Sequence, residues 1–180
     1  HGKAVRRGAP GTFLVLDMPF MSYQASTEDA LRNAGRAMKE TGVEAVKVEG
    51  ATGATCRTVE ALVRAGIPVM GHIGLTPQSV HALGGYRVQG RGAEAAERLK
   101  AQARAREEAG CFSVVLELVP APLAGEVTRS LTIPTVGIGA GPECDGQVLV
   151  LYDALGLTQG FHPRFLKRFG DLESETRKAL

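Results

Sequence analysis

The 180-residue sequence has no tryptophan, only three cysteines, almost no net charge and no long apolar run. A formal net charge of +2 gives little attraction for nucleic acid, and the basic pairs at positions 6–7 and 167–168 lack the interleaved aromatic residues of a base-stacking surface. No apolar run approaches the roughly 18 residues that a membrane-spanning helix needs, and the first residues do not resemble a signal peptide. We therefore expect no nucleic-acid partner and no membrane span.

The cysteines, Cys56, Cys111 and Cys144, are far apart, form no CxxC pair and have no histidine at a zinc-binding spacing. This usage is typical of reduced thiols, because disulfides persist mainly in oxidising compartments. We therefore expect a cytoplasmic protein.

Short β-rich runs alternate with alanine-rich helical stretches along the chain, and 44% of the residues are hydrophobic. The length suits one domain with its own core, and the alternation is typical of βα units around a parallel sheet. The pattern predicts six strands, at Phe13 to Asp17, Glu44 to Glu49, Ile67 to Gly71, Ser113 to Leu118, Thr135 to Ile138 and Val148 to Tyr152.

Caps and glycines mark the predicted helices. The first residues have the pattern of a helix end that stops at Gly8. Ser26 with Asp29 three residues later resembles a capping box, which begins a helix that ends at Gly42. Two further helices are predicted at Thr55 to Gly66 and Ala93 to Gly110.

Six βα units are about two fewer than a closed (β/α)8 barrel contains, and such a barrel normally has about 250 residues. Two folds fit this count: a barrel that lacks its N-terminal units in this chain, or an open doubly wound sheet. Because the sequence begins with the pattern of a mid-helix, we favour the first. The prediction is an α/β barrel, a single domain over residues 1–180 that is N-terminally incomplete.

Charged residues lie at the ends of three predicted strands: Asp17 in the first, Lys47 and Glu49 in the second, and Glu117 in the fourth. A carboxylate in an apolar strand is costly unless it is paired, bound to metal or placed at a functional mouth. The carboxyl ends of parallel barrel strands build the active site, and residues two apart on a strand share a face. We expect these four side chains to meet at one rim, the alternative being an internal ion pair that only fills the barrel.

Such a cluster offers the oxygen ligands that a hard divalent cation, most often Mg²⁺, takes in proteins. A metal held there can bind a 2-oxo acid and stabilise the enolate that forms when a base removes the adjacent C–H proton. Lys47 can hold the substrate carboxylate or the developing oxyanion, and Glu117 can act as the base. His72, which follows the third strand, is a candidate for hydrogen bonding to substrate or for a structural role.

Two segments are rich in glycine. The long connection at residues 74–92 indicates a loop that closes over a site or meets another subunit. The VGIGAG run at residues 136–141 lacks the GxGxxG spacing of a dinucleotide site, and it indicates only a tight turn or a close backbone approach.

Five motifs in order resemble the ketopantoate hydroxymethyltransferase family. They are GAPGTFLVLDMPFMSY, VEAVKVEG, GHIGLTPQSVHALGGYRVQGR, LELVP and IPTVGIGAGPECDGQVLVLYDALGL, and together they extend over nearly the whole chain. The resemblance implies a (β/α)8 TIM barrel of the phosphoenolpyruvate/pyruvate-binding type. It also implies a homo-oligomer, a decamer built from stacked rings of five.

The activity that the resemblance implies belongs to pantothenate synthesis. It is transfer of a hydroxymethyl group from 5,10-methylenetetrahydrofolate to 3-methyl-2-oxobutanoate, giving 2-dehydropantoate and tetrahydrofolate through a Mg²⁺-stabilised enolate. By motif, Asp17 is a metal ligand that also contacts the oxo acid, and Glu49 is a metal-site carboxylate. Lys47 and His72 bind substrate, and Glu117 accepts the proton. The family's Asp-Ser metal motif has no counterpart in this sequence, which begins downstream of it.

Two other classes remain open at this point. A carbon–carbon or phosphorus–carbon lyase that acts on oxo acids would share the metal and the carboxylates. A non-catalytic scaffold would use the same charges only to fill the barrel interior.

Overall fold

The computed structural model describes residues 1–158, 160 and 163–180. Its six strands are all parallel and follow one another in chain order across a single sheet, which forms half of a barrel. This sequential order is that of a barrel, whereas a doubly wound sheet reverses its order at a switch point. The strands are β1 (Val15–Asp17), β2 (Ala45–Glu49), β3 (Val69–Gly74), β4 (Ser113–Glu117), β5 (Thr135–Ile138) and β6 (Gly146–Gln147).

Helices connect the strands. The described helices are α1 (Gly2–Gly8), α2 (Thr27–Thr41), α3 (Gly53–Arg64), α4 (Ala93–Glu108), α5 (Ala121–Ser130), α6 (Leu151–Ala154) and α7 (Leu172–Ala179), with a short 3-10 helix at Pro77–Ser79. The predicted cap of α2 is confirmed, because the Ser26 side chain accepts a hydrogen bond from the Asp29 N–H and Gly42 ends the helix at φ +71°. Among the described residues, no helix combines the length and the apolar character that crossing a membrane requires.

The two faces of the sheet have different chemistry. On the helix side, Val46 and Val48 of β2 are completely buried, and they pack with Ala34 of α2 and Leu62 of α3 in one core cluster. A second cluster lies between β4, α4 and α5. On the other face, strand register aligns Asp17 with Lys47, Glu49 with His72, and Gly74 with Glu117. The apolar layer therefore fixes the sheet and leaves the charged residues on the inner face of the half-barrel.

The incomplete barrel that the sequence predicts agrees with the described sheet, a half-barrel whose unpaired edge strands are β1 and β6. One predicted strand, at Val148 to Tyr152, is wrong. The Val148 N–H still donates to the Gly137 carbonyl at 3.0 Å, but the chain then leaves the sheet and forms α6. An apolar run forms a strand only where a neighbouring strand pairs with it. In the described part of the chain, no strand pairs with the far side of β6.

Candidate active site

Lys47 is the centre of the site at the carboxyl ends of the strands. Its Nζ lies 2.9 Å from Asp17 Oδ2 on β1 and 2.9 Å from His72 Nδ1 on β3. Glu49 Oε1, two residues further along β2, is 3.9 Å away. An ammonium can only donate hydrogen bonds, so Lys47 donates to both Asp17 Oδ2 and His72 Nδ1. The predicted convergence of Asp17, Lys47 and Glu49 is thus present.

His72 connects this group to Glu117. Because Lys47 donates to Nδ1, that nitrogen must accept, which places the proton of a neutral imidazole on Nε2. His72 Nε2 lies 3.1 Å from Glu117 Oε2, although the N–H is not directed along a hydrogen bond to that oxygen. The contacts therefore run without a break from Asp17 through Lys47 and His72 to Glu117, across four neighbouring strands.

The three carboxylate side chains of the site differ in their exposure to solvent. The Glu49 side chain is 5% exposed and that of Glu117 17%, whereas the Asp17 side chain is 53% exposed. A small substrate at this rim would meet Asp17 first and would be bordered by Glu117. Glu49 is the most buried of the three carboxylates and lies at the bottom of the site.

Two residues that sequence reasoning missed hold Glu49. The backbone N–H of Gln78 donates to Glu49 Oε2 at 2.9 Å, and the Tyr23 hydroxyl accepts from the Glu49 backbone N–H at 3.1 Å. Burial raises the pKa of Tyr23 to about 12, so its hydroxyl keeps its proton at neutral pH. The available signal was weak: Gln78 lies in the glycine-rich segment, and Tyr23 is an aromatic residue shortly after β1.

The backbone around Glu117 is tightly turned. Leu118, directly after it, has φ +47°, a conformation that costs a residue with a side chain roughly 1–2 kcal/mol. Its carbonyl accepts from the Gln89 N–H at 2.8 Å, so the far end of the long loop is fixed beside the site. Gly139 has φ +60°, and a Cβ there would lie 2.8 Å from Leu118 Cδ2. The close backbone approach expected of the VGIGAG run is confirmed.

The predicted metal site is only partly visible in the side-chain arrangement. Within residues 1–158, 160 and 163–180, no three His, Cys, Asp or Glu side chains are grouped closely enough to surround an ion. Asp17 and Glu49 nevertheless present carboxylate oxygens at 2.9 Å and 3.9 Å from the Lys47 ammonium. That donor set fits Mg²⁺, which binds through one or two carboxylates, several waters and substrate oxygens.

A half-barrel of parallel strands with an ammonium, an imidazole and three carboxylates at their carboxyl ends defines a barrel-type enzyme site. The family model of ketopantoate hydroxymethyltransferase matches residues 1–180. The chain belongs to the ketopantoate hydroxymethyltransferase family, whose members are transferases.

Named relatives are similar over the whole of this chain. The 3-methyl-2-oxobutanoate hydroxymethyltransferase of Leptospira interrogans serogroup Icterohaemorrhagiae serovar copenhageni is 53% identical, with 100% of this chain and 68% of that protein covered. The enzyme of the same name from Heliobacterium modesticaldum is 58% identical, with 100% and 65% covered. The chain thus spans about two thirds of the length of these relatives.

Solved structures share the fold at low identity. A Burkholderia cenocepacia protein described as a lyase/mutase superposes with a TM-score of 0.58 at 16% identity, covering 99% of this chain and 62% of that one. The carboxyl transferase domain of Rhizobium etli pyruvate carboxylase gives a TM-score of 0.54 at 13% identity, covering 76% and 24%. These likenesses support the α/β half-barrel and carry no statement about activity.

Proposed function

We propose that the protein transfers the one-carbon unit of 5,10-methylenetetrahydrofolate to 3-methyl-2-oxobutanoate, with water, to give 2-dehydropantoate and tetrahydrofolate in pantothenate biosynthesis. Family membership supports the reaction class. The observation that carries the proposal is the continuous set of contacts from Asp17 through Lys47 and His72 to Glu117. It combines a cation for the oxo acid with a carboxylate for its C–H proton.

Glu117 is the proton acceptor in this mechanism. Its carboxylate takes the proton from C3 of the oxo acid, and the electron pair left on C3 forms the new bond to the one-carbon unit. The two bonds from that carbon to the folate nitrogens break, water supplies the hydroxyl group, and the C3 proton and the remaining water proton go to those nitrogens. The imidazole of His72 borders Glu117 Oε2 at 3.1 Å and limits where that oxygen can move. The position of Glu117 at the end of β4 therefore decides which C–H bond of a bound substrate it reaches.

Lys47 binds the oxo acid. The Lys47 side chain is only 16% exposed, so its ammonium is partly shielded from water, which strengthens its attraction for a substrate carboxylate or for an oxygen that gains negative charge. Asp17 on β1 and His72 Nδ1 on β3, the strands that flank β2, both hold this ammonium at 2.9 Å. The Lys47 side chain is thus already oriented in the absence of substrate.

Asp17 and Glu49 are the residues that would hold Mg²⁺. The bound ion would supply Lewis-acid stabilisation of the negative charge that develops on the substrate oxygens. Asp17, as the exposed member of the pair, would also face the oxo acid.

The assembled protein is part of the same proposal. We propose that further strands complete an eight-stranded barrel, since β1 borders an open groove of about 560 Å³ that apolar residues such as Val5, Leu14 and Leu16 line. By the family resemblance we also propose a homo-oligomer, a decamer, in the cytoplasm. The three cysteines are free in the structure, which accords with a reducing compartment.

A direct assay separates this reaction from its main rival. The full-length gene product is incubated with the oxo acid and 5,10-methylenetetrahydrofolate, and 2-dehydropantoate is followed by mass spectrometry. The proposal requires product formation that depends on both substrates. Cleavage of oxo acids without any transfer from the folate would instead support a lyase.

A further inference from the structure

Gln78 is the point at which three segments of the site are joined. It lies in the 3-10 helix that follows β3, and its backbone N–H holds the carboxylate of Glu49. Its side-chain amide donates from Nε2 to the Met18 carbonyl at 2.8 Å, directly after β1. The amide oxygen accepts from the Tyr23 hydroxyl and from Gln24 Nε2, both at 2.8 Å.

Only one orientation of this amide satisfies its neighbours. The Met18 carbonyl can only accept, so the amide nitrogen must face it. The oxygen then faces the two donors, and the Tyr23 hydroxyl, whose proton goes to Gln78, accepts from the Glu49 N–H. Each donor in the set meets an acceptor, and the network closes on the main chain and the side chain of Glu49.

The network keeps Glu49 away from Lys47. Glu49 Oε2 is bonded to Gln78, while Oε1 remains 3.9 Å from the Lys47 ammonium, too far for a hydrogen bond. A carboxylate that lost its Gln78 contact could turn towards the ammonium and pair with it. Pairing of that kind would remove the oxygen that a cation needs.

We infer that Gln78 is a positioning residue for the metal site: its side chain anchors the backbone N–H that holds Glu49, and so keeps Glu49 available to a divalent cation. The inference rests on the proposed function. It extends that function to a residue whose side chain bonds to Met18, Tyr23 and Gln24.

The test measures cation binding directly. Mn²⁺ is titrated into the full-length gene product without substrates, and free Mn²⁺ is followed by electron paramagnetic resonance. Gln78→Met, which keeps the length of the side chain but has no amide, is expected to weaken Mn²⁺ binding by roughly tenfold, a usual effect of losing a residue that supports a metal ligand. Gln89→Met is the matched control, because among residues 1–158, 160 and 163–180 the Gln89 amide bonds only to the Arg87 carbonyl of its own loop.

Tyr23→Phe is the second variant. It keeps the ring in the core and removes only the hydroxyl that joins Gln78 to Glu49. Weaker Mn²⁺ binding in both Gln78→Met and Tyr23→Phe, with Gln89→Met unchanged, supports the inference. If Gln78→Met does not fold, the Mn²⁺ affinity of Tyr23→Phe decides.

Steady-state kinetics provide a readout that a general folding defect would not imitate. Raising the Mg²⁺ concentration should restore the kcat of Gln78→Met towards that of the unmodified protein, because the substitution weakens the binding of the cation. Folded variants with unchanged Mn²⁺ affinity overturn the inference while leaving the proposed transferase intact. An unmodified protein that binds no Mn²⁺ and forms no product overturns both.

Discussion

Gly74 and Glu117 lie side by side at the ends of β3 and β4, in such close contact that a Cβ on Gly74 would be 2.3 Å from the Glu117 carbonyl oxygen. The same carbonyl accepts the Leu75 N–H at 2.8 Å. Gly74 also has φ +89°, which L-residues rarely adopt. The position of the proposed base thus depends on the absence of a side chain on the neighbouring strand.

Replacing Gly74 tests this dependence. Gly74→Ala should destabilise the protein by about 2 kcal/mol or more, since it combines an unfavourable φ with a backbone clash. Urea unfolding measures the loss. Gly84→Ala is the control for φ alone, because Gly84 has φ +72° but a Cβ there would have its nearest heavy atom at 3.7 Å. This substitution should lower the free energy of unfolding by only about 1 kcal/mol. Equal losses in the two variants would show that the contact with Glu117 is unimportant.

Lys47→Met should separate substrate binding from metal binding. Loss of the ammonium removes a charged hydrogen-bond donor for the oxo acid, which should raise its KM by roughly 10- to 100-fold. Mn²⁺ should bind more tightly, because the positive charge of Lys47 no longer competes with the cation for the carboxylates of Asp17 and Glu49. Lys100→Met, which removes a lysine that pairs with Glu97 and Glu126 outside the site, is the control. Weaker Mn²⁺ binding in Lys47→Met would contradict the assigned roles.

Arg106 of α4 is fully buried, and in the described part of the chain none of its three guanidinium nitrogens has a hydrogen-bond partner. Its stem lies against Gly71 of β3, where a Cβ would be 3.3 Å away, and burial lowers the pKa of Arg106. Arg106→Met should therefore stabilise the protein by about 1–4 kcal/mol in urea unfolding. Exposed Arg104→Met, two residues earlier in the same helix, should change stability by less than about 0.5 kcal/mol. A destabilised Arg106→Met would point to a partner for the buried charge.

Glu44 should make stability depend on pH. The Leu14 N–H, at 2.8 Å, and Arg6, at 2.5 Å, lower the pKa of this glutamate on folding. A carboxylate with a lowered pKa stabilises the fold above its unfolded pKa, and this contribution is lost as the pH falls through the folded pKa. The stability difference between the unmodified protein and Glu44→Gln should thus be largest near neutrality and shrink in acid. Arg6→Met should retain part of the effect, and a difference that grew in acid would refute it.

The part of the site that lies on strands was predictable from the sequence, because alternation along a strand assigns Lys47 and Glu49 to one face and the buried valines to the other. The side-chain contacts of Gln78 were not predictable, since they join loops 54 to 60 residues apart and leave no local pattern. Helix α5 was also missed. Gly125 weakens its helical pattern, and the helix is supported by tertiary packing, with a Cβ at Gly125 falling 3.1 Å from Glu143 Cβ.

In the proposed mechanism, Glu117 removes the C3 proton of an oxo acid held beside Lys47. Proton NMR of 3-methyl-2-oxobutanoate in D₂O, with full-length protein and Mg²⁺ but no folate, measures the exchange of that proton directly. Exchange should require Mg²⁺ and should slow by about 100-fold or more in Glu117→Gln, whereas the exposed-residue control Glu126→Gln should exchange at the unmodified rate. Glu117→Gln protein that folds and exchanges the C3 proton as fast as the unmodified protein would contradict this mechanism.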